Sequence, residues 1–319
     1  MSPRSIRQRL RPPFGRQHRP LAVVLGGGAA MGAFQVGIID VLARQSFHPD
    51  IIIGTSVGAI NGAFWALNQE RDIGPRLIDL WRRAQRQVFL PGGRLQMLRS
   101  VIANRDHLFP ADFVGRMLAQ HTSPTDRIET LPTPFACVVC HAITGERVVL
   151  RRGPLRDALL ATTSIPALFP PVHVEDGLYV DGGVVANCDL EAAVELGFDQ
   201  ALAINLSGFQ PSLPPHSLSD ALDRALGFSL RRQTELTLQA VAGKLDVAYV
   251  QPEISGVPRL GDFSQTDDMF QLGRRFGVQI WRRHIDAHGN VVPGRLARLP
   301  ENDDDIDEEL IDPADEIGA

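Results

Sequence analysis

Short apolar runs alternate with helical patterns through residues 21–251, and this alternation predicts a single α/β domain. Leu21–Leu25 reads as a buried strand. It leads into a glycine-rich loop at 26–32 and then a helical stretch over 33–45, with Phe34, Val36, Ile38, Val41 and Leu42 supplying the apolar faces. A β-branched run at 51–53 predicts a second strand, and 56–68 an uncharged helix after a sharp turn. Further strands are expected at 135–142 and 147–151, joined by a Thr144-Gly145 turn, and at 172–175, 178–180, 201–206 and 247–251. Helical patterns cover 75–89, 111–121, 154–162, 189–196, 217–241 with an interruption at Gly227, and 267–288. Pro166, Pro170 and Pro171 forbid helix or central strand over 164–172, so an apolar loop of fixed shape is expected there. The segment 70–130 is compatible with a lid over a site or with an ordinary helical layer.

Charge is concentrated at the two ends. Residues 1–20 hold six arginines and no acid, residues 301–319 hold ten acids and no base, and the body between them carries only −1. A nearly neutral body offers no case for nucleic-acid binding. The ends read as a disordered Arg-rich arm (1–20) and a disordered acidic tail (301–319) around a folded unit at 21–300. Lys244 is the one lysine, an arginine bias suggesting a GC-rich bacterial genome. No signal-peptide core follows the basic start, and the uncharged stretch 51–69 is interrupted by Gly54, Ser56, Gly58, Asn61 and Gly62. A cytoplasmic protein is expected, with peripheral membrane contact left open and the oligomeric state not legible. Cys137 and Cys140 have C-x-x-C spacing, but an odd separation in a strand points them to opposite faces about 10 Å apart along the chain, against a shared metal or redox pair.

The chemistry concentrates at Gly54-Thr55-Ser56-Val57-Gly58. A serine on a Gly-x-Ser-x-Gly turn between strand and helix is the arrangement of a nucleophile elbow. Two parallel strands ending in a glycine loop and a serine turn would bring both to one crevice. Consecutive amides of the loop could cradle an anion, bind a dinucleotide or simply turn the chain. Asp181, at a strand end before Gly182-Gly183, is either a turn former or a base held at the crevice.

Four segments, GGGAAMGAFQVG (26–37), GTSVGAING (54–62), SIPALFPPV (164–172) and DGGVVAN (181–187), together resemble the patatin-like phospholipase family in order and spacing. The resemblance implies a three-layer sandwich with a central, mostly parallel sheet. It also implies a serine acyl hydrolase with no metal or other cofactor, acting on a lipid or other acyl ester. Ser56 would be the nucleophile and Asp181 the base. The amides of Gly27, Gly28 and Ala29, with Gly32 closing the loop, would form the oxyanion hole. Gly54, Gly58, Gly182 and Gly183 are the motif glycines. Members often read G-G-G-x-[RK]-G, so Ala29 replaces a glycine and Met31 a basic residue. Alanine can still offer its N–H, provided the loop does not need positive φ there.

Three alternatives remain open. A Ser-His-Asp esterase would use His284 or His288, which follow Asp181 in the required order. An acyltransferase on the same scaffold would pass the acyl group to an alcohol or thiol. A non-catalytic lipid-binding module would retain the pocket without the chemistry.

Overall fold

The computed structural model describes residues 19–68, 70–88, 112–207, 218–253 and 263–299. The remaining stretches, which include most of the arm, the acidic tail and the middle of the 70–130 segment, lie outside the described residues. Arg19 already belongs to the body. Its N–H donates to Asn290 Oδ1 (2.8 Å) and its guanidinium pairs with Asp246 (2.9 Å), so the folded unit begins before residue 21.

The elements in chain order are β1 (Leu21–Leu25), α1 (Gly32–Arg44), β2 (Ile51–Thr55), α2 (Val57–Leu67), α3 (Ile73–Val88), α4 (Asp112–Ala119), β3 (Phe135–His141) and β4 (Arg147–Leu150). They continue with α5 (Leu155–Thr162), β5 (Val172–Val174), β6 (Gly177–Asp181), α6 (Leu190–Glu195), β7 (Gln200–Ile204), α7 (Leu218–Val241), β8 (Asp246–Val250), α8 (Thr266–His284) and β9 (Gly294–Leu296). The strands form one sheet in the order β5-β6-β3-β2-β1-β7-β8-β9, with β4 paired to β3. β3, β2, β1, β7, β8 and β9 are parallel, whereas β4, β5 and β6 run antiparallel to their partners.

Both faces of the sheet are covered, which is why its central strands read as unbroken apolar runs. Leu21, Val23 and Leu25 of β1 join a large core with α1, α2, α3, α5 and α8. Ala22 and Val24 point the other way, into a smaller core with α6 and the end of α7. This is the expected three-layer sandwich with a mostly parallel sheet.

Several boundaries moved. α7 runs unbroken through Gly227, because helix-wide hydrogen bonding tolerates one glycine at modest cost. α8 stops at His284 rather than 288, since Ile285 turns extended and bridges Val291. The three-residue β9 was missed, being too short to show any period. Within 70–130, α3 packs as an ordinary layer against the core through Leu77, Ile78, Leu80 and Trp81. Cys137, Cys140 and Cys188 are free and buried. Cys137 Sγ lies against the Ala158 carbonyl while Cys140 Sγ lies against that of His141, so the two occupy separate surroundings.

Candidate active site

Strand register brings the site together. β2 pairs with the first half of β3, ending at Thr55 opposite Val138. β6 comes from the other direction, ending at Asp181 opposite Val139. β4 occupies the opposite edge of β3 over residues 137–140, so β2 and β6 share one edge and meet head to head. The residue after Thr55 is Ser56. Nucleophile and carboxylate candidates thus sit at the abutting carboxyl ends of two strands.

Ser56 is 7% exposed and has φ 55°, ψ −128°, a backbone conformation costing a non-glycine residue about 1–3 kcal/mol. Surrounding contacts hold the strain. The Ser56 N–H donates to Thr162 Oγ1 (2.9 Å), and the Thr162 hydroxyl donates to the Val138 carbonyl (2.6 Å). The Ser56 carbonyl accepts from Ala59 N–H (2.9 Å) as α2 begins. A Cβ on Gly58 would collide with the Leu25 carbonyl, and one on Gly54 with the Ala59 backbone. The two motif glycines therefore let the turn press against β1 and α2.

Asp181 is 4% exposed. Its Oδ1 accepts from Gly183 N–H (2.8 Å), and its own N–H donates to the Ser164 carbonyl (2.9 Å), tying the proline loop to the site. Burial pushes the carboxyl up to about 6, against the opposing hydrogen bonds from the Ser56 hydroxyl and the Gly183 amide. Gly182 packs where a Cβ would strike the Val138 carbonyl, which keeps this turn against β3.

The glycine loop lies directly over the serine. A Cβ on Gly27 would stand 2.9 Å from Ser56 Cβ and 2.8 Å from Asn187 Oδ1. Gly27 itself is not an available donor, because its N–H already bonds the Asn187 carbonyl (3.2 Å). The half-buried Gly28 and Ala29 open a 3-10 turn that runs straight into α1, where the first N–H groups have no intrahelical acceptor. Of the three amides expected to form an oxyanion hole, those of Gly28 and Ala29 at the head of this turn are left as candidates. Ala29 has φ 47°, so the loop does require positive φ at that position and the alanine is strained. Met31 is buried in the large core, where an arginine would be a desolvated charge.

Buried polar groups fasten both ends of this loop. Gln35 Nε2 donates to the Gly26 carbonyl (2.8 Å), and Asn61 Nδ2 donates to the Gly32 carbonyl (3.0 Å) and to Gln35 Oε1 (3.0 Å). Trp81 Nε1 completes the chain by donating to Asn61 Oδ1 (3.0 Å), and its ring fills the space a Cβ on Gly32 would need. Sequence reasoning missed Thr162, Asn187, Gln35, Asn61 and Trp81 as supports. An Asn in the middle of the apolar helix α2 was the available signal, since a buried amide demands partners.

The histidines stand elsewhere. His284 Nδ1 pairs with the Val292 carbonyl (3.0 Å), and its ring packs on Gly294 of the edge strand β9. β9 is four strands from β2, roughly 19 Å at the usual strand spacing. His288 lies in an exposed turn capped by Asp286. Neither takes part in the Ser56 constellation. Among the described residues there is no cluster suited to a metal ion and no helix long and apolar enough to cross a membrane.

The chain has relatives among known proteins. An uncharacterised NTE family protein of Mycobacterium tuberculosis (strain ATCC 25618 / H37Rv) is 27% identical over 292 residues, covering 80% of this chain and 45% of that protein. Lysophospholipase nte1 of Aspergillus terreus is 25% identical over 285 residues, covering 82% of this chain and 18% of its own length. The chain thus spans less than half the length of these curated relatives. VipD from Legionella pneumophila aligns with a TM-score of 0.44 and 13% identity over 85% of this chain and 68% of its own. The family model described as patatin-like phospholipase matches residues 23–194, more than half of the sequence and all four motifs up to Asn187. The chain belongs to the patatin-like phospholipase family.

Proposed function

We propose that the chain is a lipid acyl hydrolase that works through a Ser56–Asp181 dyad and an acyl-serine intermediate. The observation that carries this reading is the head-to-head meeting of β2 and β6, which sets the strained Ser56 against a buried carboxylate. Ser56 Oγ attacks the ester carbonyl carbon while Asp181 takes its proton. The Gly28 and Ala29 amides receive the oxyanion at the positive end of the helical run leading into α1. Collapse expels the alcohol, which leaves with the proton held by Asp181. Water, deprotonated by the same carboxylate, then attacks the acyl-serine, and Asp181 returns that proton to Ser56 Oγ as the acid is released. A carboxyl raised to about 6 is ionised at neutral pH yet more basic than an exposed aspartate, as a general base requires.

The fungal relatives are named lysophospholipases, so a monoacyl phospholipid is the first lipid class to try. The test measures turnover of soluble short-chain esters and of lysophospholipid by wild type, Ser56→Ala, Asp181→Asn and His284→Ala, with labelling by a fluorophosphonate. Ser56→Ala should lose both turnover and labelling, and Asp181→Asn should fall about 10²–10⁴-fold. His284→Ala should keep its turnover. Near wild-type rate in either dyad variant would sink the proposal. Chromatography of the products with an added alcohol acceptor separates hydrolysis from acyl transfer.

A further inference from the structure

Val184, Phe228 and Leu236 are 44%, 65% and 48% exposed, Val184 on the turn that follows Asp181 and the other two on α7. Val184 lies three residues beyond the carboxylate. Gln233 Nε2 of α7 donates to its carbonyl (2.9 Å), and Leu230 of the same helix reaches to within 3.8 Å of the Cβ position of Gly183. α7 therefore crosses the rim of the site with its inner side on the Asp181 turn. Its outer side carries Phe228, with Leu236 eight positions on, across two helical turns and on the same broad face.

The surroundings of Phe228 are basic. On a helix the neighbours of position 228 are 224, 225, 231 and 232. Three of them are Arg224, Arg231 and Arg232, and the fourth is the exposed Ala225. No acid occurs from 224 to 234. Glu235 pairs with both Arg231 (3.9 Å) and Arg232 (3.1 Å). An exposed phenylalanine among arginines suits an interface between hydrocarbon and anionic headgroups. There the ring enters the acyl boundary while the guanidiniums remain at the phosphate level.

We infer that the outer face of α7, with Val184, is a docking surface for a lipid–water interface bearing anionic headgroups, and that it lays the mouth of the Ser56 site on the lipid. The proposal deepens the acyl-lipid reading and rests on it for the location of the substrate. Docking itself does not depend on hydrolysis.

The full chain is co-sedimented with vesicles of diether phosphatidylcholine, alone or mixed with diether phosphatidylglycerol, since ether lipids offer no ester to cleave. Residues 1–18 carry arginines of their own, so the comparison is between variants that all retain them. Phe228→Ser should lower the partition coefficient about tenfold on both vesicle types. The double variant Arg231→Gln/Arg232→Gln should lower it about 30-fold on the anionic vesicles only and weaken the salt dependence there. All three proteins should turn over a soluble short-chain ester equally, which also certifies that the surface variants fold. Partition of both variants equal to wild type overturns the assignment. So does the absence of vesicle binding, and binding to polyglutamate in its place would mark the face as one for an acidic protein. If wild type docks through α7 but Ser56 is never labelled and no ester is cleaved, the hydrolase reading fails and the docking surface stands. Ser56-dependent ester cleavage without docking gives the reverse.

Discussion

Asp181→Asn should make the protein more stable at alkaline pH while lowering ester turnover. Burial raises the Asp181 carboxyl from 3.8 to about 6 in the folded state. That difference corresponds to about 3 kcal/mol of preference for the protonated form. The unfolded chain gives up this proton near its ordinary value. Folding is therefore favoured by the raised group below 3.8, and that stability is lost as pH rises through about 6. Asparagine cannot ionise, so the variant avoids the loss. Its Oδ1 can still accept from Gly183, but the Ser56 hydroxyl loses its carboxylate acceptor, a change of about 1 kcal/mol. The net gain is about 2 kcal/mol at pH 8, roughly 4 °C in Tm. Near pH 4 the gain disappears or reverses. Thermal and urea unfolding of both proteins at pH 5 and pH 8 checks this. A stability difference independent of pH, or a variant less stable at pH 8, would refute the argument that the carboxylate is held ionised at an energetic cost.

Three further outcomes are expected. The kcat/KM for a soluble ester should decline with unit slope as pH falls through about 6, because protonated Asp181 cannot accept the serine proton; a flat profile down to pH 5 would remove it as base. Ala29→Gly should stabilise the protein by about 1 kcal/mol with activity retained, since glycine adopts φ 47° without strain, and differential scanning calorimetry showing a loss would contradict the assigned loop conformation. Thr162→Val leaves the Ser56 N–H and the Val138 carbonyl without their partners, so denaturant melts should show about 1–3 kcal/mol destabilisation and slower fluorophosphonate labelling of Ser56, whereas wild-type labelling would show that Thr162 does not hold the elbow.

Three of these positions are held at a cost in stability. Ser56 holds a disfavoured φ, Asp181 a disfavoured ionised state, and Ala29 a conformation that suits glycine. The Gln35-Asn61-Trp81 chain and the Thr162 bridge are what the fold supplies against that strain. Such groups are the expected cost of a preorganised site.

The alternation of apolar strands and helical periods, the Gly-x-Ser-x-Gly turn and the aspartate before two glycines were all legible in the amino-acid order. They are local, set by side-chain period and by where a backbone can bend. The separate surroundings of Cys137 and Cys140 followed equally from strand geometry. Tertiary structure alone decided which polar groups meet. Ser56 and Asp181 are 125 positions apart, and only the pairing of β2 and β6 along one edge of β3 makes them neighbours. Loop closure likewise decided that the Gly27 amide turns to Asn187, that Ala29 takes a positive φ, and that His284 is confined to the β9 edge. A strand's own sequence records which face each residue takes, but not which strand lies beside it. The register that assembles this site is a property of the whole sheet.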